Sequence, residues 1–159
     1  LLGNDAAKTK ELMEKLVSEG EYTLSGANQA ILDMFEAGFA TEVETSAEIK
    51  RVYDACDYVE DPHTAVASAV YQKYVERIGD HTPTVIASTA SPYKFPRVAV
   101  EAVSGQAPAD DFVAVKELEK LSGVAIPKAV NGLETAEIRH KTVVATSDMQ
   151  NAVEDYLGL

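Results

Sequence analysis

TVIASTASPYKFP, from Thr84 to Pro96, is the most informative segment of the chain. Thr84-Val85-Ile86-Ala87 is short, β-branched and free of polar alternation, which suits a strand buried on both faces in a parallel sheet. It runs into Ser88-Thr89-Ala90-Ser91, four small residues of which three carry hydroxyls. Open α/β sheets place ligands in the crevice at the carboxyl ends of their strands. On residue type alone, the hydroxyls of Ser88 and Thr89 serve equally to tie down the turn. Pro92 and Pro96 punctuate the loop that follows, and Lys94 sits within it.

A second informative segment, DPHTAV, runs from Asp61 to Val66. Asp61-Pro62 is a helix start, with Asp as N-cap and Pro at the first helical position. A helix N-terminus offers free N–H groups and the positive end of a dipole, so Asp61, His63 and Thr64 stand where anionic groups are favoured. The plainer roles are an ordinary N-cap for Asp61 and a hydrogen-bonded structural residue for His63. The helix is predicted to reach Ile78, with Val66, Val70, Tyr74 and Ile78 on its apolar stripe and Gly79-Asp80 closing it.

The rest of the chain reads as helices. Ala6 to Glu19 is capped by Asn4 or Asp5, keeps Leu12 and Leu16 on one face and ends at Gly20. Ala27 to Glu36 places Ile31, Leu32 and Phe35 inward. Thr45-Ser46-Ala47-Glu48 reads as a capping box opening a helix with Ile49, Val52, Tyr53 and Cys56 on its apolar side. A helix over Arg97 to Val103 precedes a polar linker, Ser104 to Asp111. Asp110 or Asp111 caps a helix through Leu118 and Leu121 that Gly123 stops. Ile126 to Val130 is extended or irregular. Ser147 and Gln150 form a second capping box before a last helix carrying Met149, Val153 and Tyr156 or Leu157. One strand among so many helices is too few for a free-standing sheet.

Composition narrows the function. The chain has 159 residues, 46% of them hydrophobic, which fits one domain. Its formal charge of −12 argues against nucleic acid and against anionic membranes. No run of 18 apolar residues or secretory signal occurs. The single cysteine, Cys56, excludes an internal disulfide and reads as a buried, inert thiol. These features together point to the cytoplasm. His63, His81 and His140 have no metal-ligand spacing. Ser91 lacks a nucleophile elbow, and no glycine-rich nucleotide loop appears.

STASPYKFP and DPHTAV, with GFATEVETSAEIKRVYDACDYVE leading into the latter, resemble the corresponding motifs of threonine synthases. These are pyridoxal-phosphate enzymes that make threonine from O-phosphohomoserine. The resemblance is to the C-terminal part of that family. It implies an α/β fold: the mostly helical C-terminal part of a fold-type II pyridoxal-phosphate enzyme of the tryptophan synthase β type, with few parallel strands. Residues 1–159 would be a single piece of the large cofactor-binding domain. The family's Ser-Phe-Lys-type motif, whose lysine carries pyridoxal 5'-phosphate covalently, has no counterpart here, nor has its phosphate-cradling loop. The chain opens Leu1-Leu2-Gly3-Asn4 without an initiator Met. It therefore reads as part of a longer protein, inactive alone.

The resemblance also assigns roles. A hydroxyl in the strand-end motif would meet the pyridine nitrogen of the cofactor, with Thr89 the first choice and Ser88 the second. Asp61-Pro62 would open a helix beside the cofactor ring, with His63 and Thr64 lining the site. His63 would be a proton donor or a phosphate contact. Lys94 belongs to the S-T-A-x-P-x-K-F motif and is not the cofactor-bearing lysine. A salt bridge fixing the loop suits it, with a phosphate or carboxylate contact as the alternative, and Arg97 stands likewise. A non-catalytic alternative is a free-standing acidic helical interaction module. In either case, the strand Thr84–Ala87 without neighbours would invite self-association.

Overall fold

A computed structural model describes residues 1–24 and 29–159. Helix α1 (Ala6–Glu19) is capped by Asp5, whose carboxylate accepts from Lys8 N, and ends at Gly20. Helix α2 (Gln29–Leu32) is one turn. The predicted start at Ala27 lies outside the described residues. The predicted continuation to Glu36 is not helical, and Phe35 is exposed rather than inward.

Helix α3 (Glu42–Cys56) begins four residues earlier than expected. Its capping box is Thr41 with Glu44: Thr41 Oγ1 accepts from Glu44 N, and Thr41 N donates to Glu44 Oε2 at 2.7 Å. Thr41-Glu42-Val43-Glu44 fits the S/T-x-x-E pattern as well as Thr45 to Glu48 does. Thr45 is instead buried inside the helix, its hydroxyl donating to Thr41 O. Cys56 is exposed, correcting the expectation of a buried thiol. It lies in the last turn, beyond the buried positions Thr45, Glu48 and Ile49.

Helix α4 (Pro62–Ile78) starts and stops where its sequence signals place it, at Asp61 and Gly79. Its buried face differs from the prediction. Thr64, Ala65, Ser68 and Ala69 are inside, while Val66, Val70 and Tyr74 are half-buried and Ile78 is exposed. Small residues let α4 lie close against α3, and the larger ones are left to its flank. There the chain passes tightly: a Cβ on Gly38 would sit 2.8 Å from Val70 Cγ1. Lys73, paired with Glu44 at 2.6 Å and donating to Phe39 O, ties the same segment down.

A 3₁₀ turn (Pro92–Lys94) leads into α5 (Pro96–Ser104), and Asp110 caps α6 (Asp111–Ser122). Helix α3 packs on α4 and α5, and α5 packs on α6. The core lies among them: Ile49, Ala65, Tyr93, Ala99, Val100, Ala114 and Leu118, with Val59 from the α3–α4 link. Two tyrosines close it at the far end of α6, Tyr93 donating to Val124 O and Tyr53 to Leu121 O.

Helix α7 (Met149–Leu157) follows a 3₁₀ turn at Thr146–Asp148. The predicted Ser147–Gln150 box does not form: Gln150 Nε2 donates to Glu154 instead, and Met149, Val153, Tyr156 and Leu157 are exposed. Among the described residues there is no strand. Thr84–Ala87 lacks a ladder partner, and Val85 is 95% exposed. A strand exists only as a member of a sheet, so a β-branched sequence without a neighbour stays unpaired. No helix among the described residues is long and apolar enough to cross a membrane.

Candidate functional site

The two motifs meet at the N-terminus of α4. Asp61 is 1% exposed. Its Oδ1 accepts from His63 N at 2.9 Å and Thr64 N at 3.3 Å, and its Oδ2 accepts from the Thr64 hydroxyl. Burial pushes the Asp61 carboxyl up. The Thr64 hydroxyl and the two N–H groups outweigh it and hold the group below its ordinary range. Asp61 is thus an ionised cap with both oxygens engaged.

Thr64 Oγ1 also lies 2.9 Å from Ser88 Oγ. Thr64 has one hydroxyl proton, and the ionised Asp61 takes it. Ser88 therefore supplies the proton for the second bond. This clasp anchors the STAS segment to the helix start across 24 positions of sequence. It commits Ser88, while Thr89, next in the chain, is exposed and has no side-chain partner among the described residues.

Around the clasp, the His63 ring stacks on Phe95 with centroids 5.0 Å apart and planes at 26°. His63 Nδ1 is 3.8 Å from Asp61 Oδ1. Lys94 Nζ lies 5.4 Å from the centre of the Phe95 ring and makes no salt bridge among the described residues. The expected ion pair is replaced by a cation–π contact. An open groove of about 560 Å³ begins at Lys94 and Phe95 and is lined further by Arg97, Phe112, Val115 and Leu133. Ser88, Thr89 and Thr64 lie outside its lining.

A buried polar network behind the clasp escaped the sequence reading. Glu48 is held by Arg51, with Nε at 2.8 Å from Oε2 and Nη2 at 2.7 Å from Oε1, and accepts from the Ser68 hydroxyl. Glu60, one residue before Asp61, is 6% exposed. The i, i+3 spacing of Glu48 and Arg51 was visible. Nothing local marks Glu60 as buried. Among the described residues no group of three His, Cys, Asp or Glu side chains converges as metal ligands would.

The family model of the threonine synthase C-terminal region matches residues 64–156. The threonine synthase of Corynebacterium glutamicum is 33% identical over 112 residues, which is 68% of this chain and 23% of that protein. Human threonine synthase-like 1 is 32% identical over 105 residues, 65% of this chain and 14% of that protein. The crystal structure of pyridoxal-phosphate-bound threonine synthase from Brucella melitensis superposes with a TM-score of 0.52 at 33% identity, covering 74% of this chain and 25% of that one. The chain thus spans less than a quarter of the length of its curated relatives. Both motifs that the clasp joins extend into or lie within the matched region, and the chain belongs to the threonine synthase C-terminal family.

Proposed function

We propose that residues 1–159 work as the C-terminal part of the cofactor-binding domain of a threonine synthase. In this role the longer polypeptide converts O-phosphohomoserine and water to threonine and phosphate, a carbon–oxygen lyase reaction. It holds pyridoxal 5'-phosphate on a lysine outside this region. The observation that carries the reading is the Thr64–Ser88 hydrogen bond, which brings DPHTAV and STASPYKFP to one place. The donor set fits the cofactor: Thr89, next in the chain to the clasped Ser88, offers a hydroxyl with no side-chain partner among the described residues, suited to a pyridine nitrogen. When bound, the cofactor supplies the electron sink for the elimination.

The residues here position rather than react. Ser88, held by Thr64, fixes the backbone from which Thr89 projects. Asp61, engaged as a cap through both oxygens, orients Thr64. His63, on Phe95, and Lys94 line the approach and suit contacts to the substrate's phosphate or carboxylate. The test is Thr89→Val in the full-length polypeptide. Loss of one hydrogen bond to the ring costs about 0.5–1.5 kcal/mol, up to roughly tenfold in turnover or cofactor affinity. Folding should be unaffected, because the shape is kept. Unchanged kinetics and cofactor affinity would move the contact to Ser88 or out of this loop. Threonine formation by residues 1–159 alone would overturn the assignment of the cofactor lysine.

A further inference from the structure

Glu60 lies in the link between α3 and α4, and its Oε2 is buried without a hydrogen-bond partner. The groups facing it are Glu48 and Arg51 from α3, Ser68 from α4, and Asp61 from its own link. Arg51 is engaged by both oxygens of Glu48, and the Ser68 proton also goes to Glu48. Glu60 therefore shares a desolvated space with a second carboxylate that holds Arg51 and the Ser68 proton, and what Arg51 and Ser68 still offer Glu60 does not outweigh burial and the neighbouring charge. Two such carboxylates do not both ionise readily. Glu48, better supplied, is the ionised one: its Arg51 pairing holds it below the ordinary range. Burial first, then the charge of Glu48, pushes Glu60 up to about 7.

We propose that Glu60 is a proton-operated latch on the α3–α4 joint. Protonated, it stays buried beside Glu48 and Ser68. Ionised, it leaves for solvent and draws the adjoining Asp61 off the N-terminus of α4, slackening the clasp on Ser88. The sign follows from the raised value. Stability from this group is complete below the unfolded value of 4.5 and is lost as pH rises toward about 7.

The experiment measures the unfolding midpoint and the amide protection of His63 and Thr64 on the 159-residue chain between about pH 5 and 8, in the parent and in Glu60→Gln. The parent midpoint should fall by roughly 5–10 °C over that range, and protection at the two amides should fall about tenfold with it. Glu60→Gln, which cannot ionise, should be flat in both. An equal slope in Glu60→Gln overturns the proposal, because another group is then titrating. A falling midpoint with constant protection at His63 and Thr64 also overturns it, because the joint then does not move. If Glu60→Gln fails to fold, the carbon-13 titration of the Glu60 carboxyl in the parent decides: a midpoint near the ordinary 4.5 ends the proposal.

Discussion

Thr64→Val removes one hydroxyl, keeps the side-chain shape and cuts the clasp at its centre. Asp61 would keep its two backbone N–H bonds at Oδ1 and lose its partner at Oδ2 while remaining buried. A hydrogen bond to a charged group is worth about 1.5–3 kcal/mol, and the partner left behind cannot recover it from water. Ser88 is exposed, so water replaces its lost bond at small cost. The expected destabilisation is about 2–3 kcal/mol, or roughly 4–12 °C for a chain of this size. The pH dependence carries a second signature. Asp61 is held below its ordinary range, so its stabilisation is present above the unfolded value of 3.8 and lost as pH falls through the folded one. Without the Thr64 hydroxyl the folded value rises. The gap between parent and variant should be full near neutrality and shrink under acid. Thermal unfolding followed by circular dichroism at a series of pH values measures both. A gap below about 0.5 kcal/mol at neutral pH, or one that does not narrow in acid, would show that the Thr64 hydroxyl does not hold the Asp61 carboxylate.

Leu118→Ala should cost about 2–5 kcal/mol, because Leu118 is fully buried where α6 meets the core; a denaturant midpoint equal to the parent's would contradict the core described here. Val85 projects from an extended segment with no ladder partner among the described residues, so the chain should self-associate in sedimentation velocity and Val85→Lys should reduce it. A concentration-independent monomer in both would show that this segment is not a sticky edge.

Much of the fold was legible because its signals are local. Asp61-Pro62 caps α4 through contacts two and three residues away, and Asp5 and Asp110 act likewise for α1 and α6. Where two local patterns competed, as at Thr41–Glu44 and Thr45–Glu48, sequence could not rank them. The buried face of α4 was misjudged because size suggested Val66 and Val70. Close approach to α3 rewards Thr64, Ala65, Ser68 and Ala69 instead. The strand at Thr84 depends on a sheet that these residues do not supply. The site divides the same way. Resemblance to a family singled out Asp61, His63, Thr64, Ser88, Thr89 and Lys94, but the bond joining Thr64 to Ser88 bridges 24 positions of sequence, and Glu60's burial depends on α3 and α4 together.

In the proposed role the clasp presents Thr89 to the cofactor ring. The nitrogen-15 shift of pyridoxal phosphate labelled at its ring nitrogen, bound to the full-length polypeptide, tests it directly. The expected signal is a hydrogen-bonded, unprotonated pyridine whose resonance moves toward the free-nitrogen position in Thr89→Val and part of the way in Ser88→Ala, which cuts the clasp that holds the Thr89 backbone. A protonated pyridinium signal in the parent, or a resonance indifferent to Thr89→Val, would contradict it.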